Sequence, residues 1–285
     1  MFQNANTVLG DLHKWLTVNK LIINAQKTKY MIFGPKRYNT ENHHLSINNQ
    51  EIERVTNGKS IKFLGIHLDE NLNWKIHAKS VNSKIAMANF SLNRVKNILP
   101  KNILIQLYHT LVHPHLMYNI LAWGNANKNA LNKTIVLQKR SIRIINKAKY
   151  NSHTEPLFKQ NKILKLKDLY TQQVMKFMFQ YENNELPESF LNMYKRRKEI
   201  RPHINTRQDN TFHIKPAKLT LSKKLPPIIF AETYNNWIKK LKPGNMSTKI
   251  KLKSITNLIL DVYSSQVSCI NPYCNQCNPN HNPNH

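Results

Sequence analysis

The 285-residue chain sets 43 lysines and arginines against 15 aspartates and glutamates, a formal net charge of +28 with a pI near 10.1, and that excess is the electrostatic footprint of a polyanion binder. Hydrophobic residues make up 40%, enough for a buried core divided into about two or three units, which excludes a wholly disordered tail. No apolar run approaches the ~18 residues of a spanning helix, the N-terminal residues lack the order of a secretory leader, and the three cysteines all follow residue 268, too late to form a disulfide framework. The setting expected is therefore intracellular, the nucleus ahead of the cytoplasm, with no membrane partner.

Along the chain, Leu12, Trp15 and Leu16 stand at helical spacing, a turn falls at Asn19, and Leu21, Ile22 and Ile23 lead into a strand. Pro35 and "RYNTENHH" interrupt, and alternation resumes in "LSINNQEIERV" and "IKFLGIHLD". From residue 76 the period changes. Ile76, Val81, Ile85, Ala88, Leu92 and Val95 define one helix face that Pro100 stops. Leu104, Leu107, Tyr108 and Leu111 repeat the pattern up to Pro114, and "HLMYNILAWG" adds a dense apolar segment, so a helical bundle is expected here.

The next helix, expected from about Ala130 to Ala148, buries Leu131, Ile135, Ile142 and Ile145. Lys139, Arg143 and Lys147 recur four apart beside Arg140, a spacing that keeps cations on one face, either as a phosphate-contacting stripe or as a solvated surface. Thr154 is a candidate cap for one or two further helices, with Leu166, Leu169, Phe177 and Tyr181 inward. After "YKRRKEIRP" the composition shifts towards proline, asparagine and lysine, marking a boundary near 200.

Six glycines form no phosphate-cradling loop, so nucleotide hydrolysis through a P-loop is excluded. Metal-dependent phosphoryl transfer needs carboxylates converging on cations about 4 Å apart. The aspartates at 11, 69, 168, 209 and 261 are scattered, and Asp69 with Glu70 is expected to shape a turn rather than hold a metal.

Five segments in order, "LHKWLTVNKLIINAQKTKYMIF", "IKFLGIHLDENLNW", "IQLYHTLVHPHLMYNILAWGN", "VLQKRSIRIINKA" and "TEPLFKQNKILKLKDLYTQQVMKFMF", closely resemble the C-terminal part of the reverse transcriptase of non-LTR, LINE-like retrotransposons. The likeness continues more weakly through "HINTRQDNTFHI" and "AETYNNWIKKLKP". It implies an α+β fold: a small remnant of a polymerase palm with β-hairpins, then a mainly helical thumb and C-terminal region. The implied divisions are a partial palm with a primer-grip-like hairpin over 1–75, a thumb-like domain over 76–150, a helical connection over 151–200, a C-terminal domain over 201–268 and a Cys/His tail over 269–285, expected to be disordered.

The segment holding Asn24, Lys27 and Thr28 matches the palm's fourth motif, and Phe63, Leu64 and Gly65 match the primer grip. Lys27 would then stabilise charge on a leaving pyrophosphate or donate a proton, the plain alternative being a surface lysine. Gly65 would let backbone approach a primer end, or else merely permit a bulge. Lys139, Arg140, Arg143 and Lys147 would contact a primer–template duplex of RNA and DNA. In this family a Tyr-x-Asp-Asp motif precedes the segment matching Asp11 to Lys27, and its aspartates help hold the Mg2+ ions of the intact enzyme. The expectation is thus a truncated RNA-directed DNA polymerase that binds nucleic acid without polymerising, completed by an upstream polymerase segment. A free-standing basic RNA- or DNA-binding protein is the alternative.

In the terminal "CINPYCNQCNPNHNPNH", Cys274 and Cys277 have the C-x2-C spacing of a zinc knuckle, with His281 and His285 as further ligand candidates for Zn2+. Three residues between Cys277 and His281 are far fewer than the ~12 of a common two-Cys, two-His finger.

Overall fold

The switch in hydrophobic period near residue 76 is where short paired strands give way to helices. The computed structural model describes residues 2–33, 44–48, 50–56, 58–204, 211–218 and 220–239, and the architecture is α+β, as expected. Two compact units are formed: Met1–Val81 with Ala126–Leu131, and Asn82–Asn125 with residues from Asn132 onward. The division falls inside a helix, after Val81, and the helices on both sides of residue 150 lie in the second unit.

In the first unit α1 (Phe2–Val18) is followed by β1 (Lys29–Tyr30), β2 (Ser46–Ile47), β3 (Gln50–Glu51), β4 (Glu53–Arg54), β5 (Ile61–Phe63) and β6 (Ile66–Leu68). Among the described residues each strand has one partner: β1 runs parallel to β4, while β2–β3 and β5–β6 are antiparallel pairs. Ile47, Ile52, Val55, Ile66, Ala78 and Val81 form its small core. No residue of α1 is buried, and Leu12 and Trp15, set on a helical stripe by their spacing, are exposed. The Asn6 side chain ties this helix to β2, accepting from the Ser46 N–H at 3.1 Å and donating to the His44 carbonyl at 3.3 Å.

The second unit holds most of α2 (Lys75–Val95), then α3 (Lys101–Leu111), α4 (His113–Met117), α5 (Ile120–Trp123), most of α6 (Lys128–Ile145), α7 (Glu155–Gln160), α8 (Leu166–Glu182), α9 (Arg197–Ile200), α10 (Thr220–Lys223) and α11 (Pro226–Ile238). The expected apolar face of α2 is buried at Val81, Ile85, Ala88 and Leu92. Pro114 does not end the bundle but sits in the first turn of α4, where a missing N–H costs nothing. The segment after it is two short helices, broken at Asn119 with φ 46°. Gly124 closes α5, and a Cβ there would lie 2.6 Å from the Ile120 carbonyl oxygen and 2.7 Å from the Tyr170 ring, so only glycine lets this turn meet Tyr170 of α8. Thr154 occupies the N-cap position of α7, but its side chain makes no cap hydrogen bond.

Buried polar side chains fix how α2 and α6 pair. The Thr134 hydroxyl donates to Asn82 Oδ1 at 2.8 Å, and the Ser141 hydroxyl donates to Asn89 Oδ1 at 2.6 Å. Both pairs are separated by 52 residues and lie one heptad apart, so the same register holds from one pair to the next and the helices run parallel. One step along α6, Gln138 donates to the Tyr108 hydroxyl at 3.0 Å and to the Leu164 carbonyl at 2.9 Å, and accepts from the Leu166 N–H at 3.0 Å. This one amide thereby joins α3, α6 and the start of α8. Burial pushes the Tyr108 hydroxyl up to about 12, the hydrogen bond from Gln138 pulling slightly the other way, so it remains neutral.

Four helices end in one way. Lys20, Lys147, Lys162 and Asn184 have φ of 58°, 51°, 53° and 56°. Each stands just past a helix whose last carbonyls accept the paired bonds of a Schellman motif, as in Ala148 N–H to Arg143 O at 2.9 Å with Lys147 N–H to Ile144 O at 3.1 Å. Glycine usually takes that position. Here lysine does so three times, accepting about 1–2 kcal/mol of left-handed backbone cost while placing a cation at the negative end of the helix dipole.

Gln138→Leu leaves a hydroxyl, a carbonyl and an N–H buried without their partner, and is expected to cost about 3–5 kcal/mol in urea unfolding. Lys162→Gly relieves the left-handed strain at some cost in chain entropy, so a gain of about 0.5–1 kcal/mol is expected, read as a melting temperature raised by roughly 1–3 °C.

Candidate nucleic-acid interface

The β5–β6 hairpin pairs Ile61 with Leu68, Lys62 with His67 and Phe63 with Ile66, leaving Leu64 and Gly65 as a two-residue turn. Their φ values are 45° and 82°, the doubly left-handed geometry of the tight hairpin turn whose twist matches its strands. Gly65 thus serves the turn itself, and the ladder runs to it without a bulge. Leu64 adopts a backbone that leucine rarely takes, at a cost of about 1–2 kcal/mol. The result is an apolar tip, with Phe63 59% and Leu64 74% exposed.

Behind the tip, Asp69 is buried. Its carboxylate accepts from the backbone N–H groups of Asn71 at 3.1 Å, Asn73 at 3.0 and 3.1 Å, and Trp74 at 3.1 Å. These bonds hold a loop containing two left-handed residues, Leu72 at φ 49° and Trp74 at φ 61°, up to the first turn of α2. The carboxylate is a structural acceptor, in line with the expected turn.

Lys27 lies in a turn organised by Asn24, whose Oδ1 accepts from the Lys27 N–H at 3.1 Å and whose carbonyl accepts from the Thr28 hydroxyl at 2.9 Å. The Lys27 side chain is exposed, and among the described residues it has no ion-pair partner. Its neighbour Lys29 meets Glu53 at 2.7 Å, and that contact holds the Glu53 carboxyl below its ordinary value.

The four cations assigned to one stripe have three different environments. Lys139 and Arg140 are exposed on α6. Arg143 is half-buried, its Nε donating to the Ser152 carbonyl at 2.9 Å. Lys147 lies beyond Ile145, where α6 ends, in the left-handed position of the helix stop. The Ser152 N–H bonds the Lys149 carbonyl at 3.0 Å, which closes a turn over Tyr150 and Asn151. Tyr150 is 84% exposed at its tip, just after exposed Lys147 and Lys149. The sequence signal for this ring is an aromatic residue that follows two lysines and precedes the turn-forming pair Asn151 and Ser152; its exposure is not legible.

Asp11 is exposed on α1 beside Lys14, Asp69 is saturated by backbone, and Asp168 is buried in α8. Among the described residues no three His, Cys, Asp or Glu side chains come together as a metal site, so these carboxylates do not fit a two-magnesium centre. Cys274, Cys277, His281 and His285 lie outside the described residues. No described helix is long and apolar enough to cross a membrane.

Over 174 residues, 60% of its length, the chain is 26% identical to the RNA-directed DNA polymerase from the mobile element jockey of Drosophila melanogaster. The matched stretch amounts to 18% of that relative's own length. This similarity supports a reverse-transcriptase-like region in the chain. No family model matches, and no solved structure does.

Proposed function

We propose that this chain is a nucleic-acid-binding piece of a reverse-transcriptase-like polymerase, that it takes a primer–template duplex of RNA and DNA, and that alone it does not polymerise. The similarity to the jockey polymerase carries the proposal. The net charge of +28 supports it, because polyphosphate backbones are the ligands on which so large an excess of cations gains most by releasing counterions.

In this scheme Lys139 and Arg140 contact phosphates from the exposed side of α6, with Lys147 extending the cationic surface past the helix stop. Arg143 orders the following turn through Ser152. The Phe63–Leu64–Gly65 tip supplies apolar contact at a primer end, supported by its exposure and strained backbone. Lys27, exposed and without an ion pair among the described residues, lies where one ammonium can meet a phosphate. Magnesium in a polymerase neutralises the triphosphate and activates the primer hydroxyl. The described carboxylates of this chain do not converge to hold it, and an ammonium cannot template metal ions.

Charge reversal at Lys139 and Arg140 together is expected to weaken duplex binding for all sequences alike. The slope of log affinity against log salt should flatten by roughly 0.7–0.9 for each phosphate that is no longer neutralised, as measured by fluorescence anisotropy. Weakened binding with an unchanged slope would place these residues outside the contact surface. Given template, primer, dNTPs and magnesium or manganese, the purified chain is expected to retard the duplex in a gel and to extend no primer. Extension abolished by D69N/E70Q would refute the proposal.

A further inference from the structure

We infer that Tyr150 is a stacking platform for an unpaired base, so that the turn after α6 binds single-stranded nucleic acid. The inference rests on the nucleic-acid-binding function proposed above and adds to it a second ligand form and a residue that reads it.

The first observation is exposure on an ordered turn. A tyrosine left 84% exposed forgoes the burial that normally places aromatic rings inside. The turn carrying it is fastened at both ends to α6. At its start the Lys147 and Ala148 N–H groups bond the last carbonyls of the helix, and at its end the Ser152 carbonyl accepts from Arg143 Nε at 2.9 Å. The 3.0 Å bond from Ser152 N–H to the Lys149 carbonyl closes it internally. Such a ring is held out before any ligand arrives, so little ordering cost falls on binding.

The second observation is the charge around the ring. Lys147 and Lys149 immediately precede Tyr150 in sequence and are exposed, and Lys139 and Arg140 stand exposed on the helix that carries the turn. Cations that track a backbone, combined with an aromatic face that accepts any base, are the two elements of single-strand recognition. Phe90 is also well exposed, at 64%, but the Arg94 guanidinium covers its face at 5.7 Å. A paired base offers its faces only to its neighbours in the stack, so Tyr150 gains nothing from the interior of a duplex. The occupant is therefore a flexible single strand, a template overhang being the simplest case.

The test uses the full chain, a 12-nucleotide single-stranded oligonucleotide carrying one 2-aminopurine, and a blunt duplex of the same length. Y150A is expected to weaken single-strand binding about 5- to 100-fold, to leave duplex binding within about two-fold, and to abolish the stacking-induced quenching of 2-aminopurine. Y150F, which keeps the ring, should behave as wild type. The salt slope should not change in Y150A, since stacking neutralises no phosphate. Unchanged single-strand affinity and quenching in a Y150A protein with wild-type circular dichroism would overturn the inference and leave duplex binding standing. Equal losses on both ligands would overturn it as well. A wild-type chain that binds neither ligand would overturn both this inference and the function on which it rests.

Discussion

The helical unit depends on buried amides and hydroxyls that fix the pairing of α2 with α6. Asn82 and Asn89 on one helix meet Thr134 and Ser141 on the other, and a slip of one turn would break both inter-helix bonds and leave buried polar groups without those partners. Apolar contacts alone tolerate such a slip, because one aliphatic side chain substitutes for the next; buried polar pairs specify a single register. Gln138 extends the same logic to a third and a fourth segment. Its carbonyl and amino groups are both used, so α6 cannot rotate without breaking its bonds to α3 and to the entry of α8. The exposed face of α6, with Lys139 and Arg140, is presented by the same constraint that buries Gln138.

The scarcity of glycine leaves its mark on every helix end of this pattern. With six glycines in 285 residues, the chain stops three helices on lysines in the left-handed region and a fourth on asparagine. Each lysine costs backbone energy that a glycine would spare, yet its ammonium offsets part of that cost against the unsatisfied carbonyls of the helix end. In a protein this basic, repulsion between neighbouring cations is the standing electrostatic problem. Helix C-termini are among the few places where a positive charge is favourable.

Helices were legible in the sequence because their apolar period is long and repeated. The face of α2 was read residue by residue, and Val81, Ile85, Ala88 and Leu92 are buried. The end of α6 was not legible. Lys147 continues the four-residue spacing of Lys139 and Arg143, and only the hydrogen bonds of the helix stop show that it lies outside. The exposed face of α1 escaped for the opposite reason, since periodicity shows that Leu12 and Trp15 share a stripe but not what covers it. Gly65 reads from the sequence as a position where backbone conformation matters, yet the sequence does not distinguish a bulge from a turn, which depends on the register of Phe63 with Ile66.

The acidic residues complete the electrostatic account. There are 15, and those in ordered contacts are spent close to home. Asp69 ties down the loop before α2, Glu155 pairs with Lys165, and Glu53 takes Lys29. Glu182 takes both Arg196 and the Tyr234 hydroxyl, and burial raises that tyrosine's pKa, with the neighbouring carboxylate adding to the effect, so it stays a donor. Each carboxylate that locks a local structure is one that cannot screen a distant cation. The excess positive charge is therefore not an average smeared over the chain. It includes particular lysines and arginines, Lys139, Arg140, Lys147 and Lys149 among them, that stand exposed and make no ion pair among the described residues. A surface of that kind meets a polyanion without first breaking internal ion pairs, and the attraction it gains is not diminished by the cost of opening them.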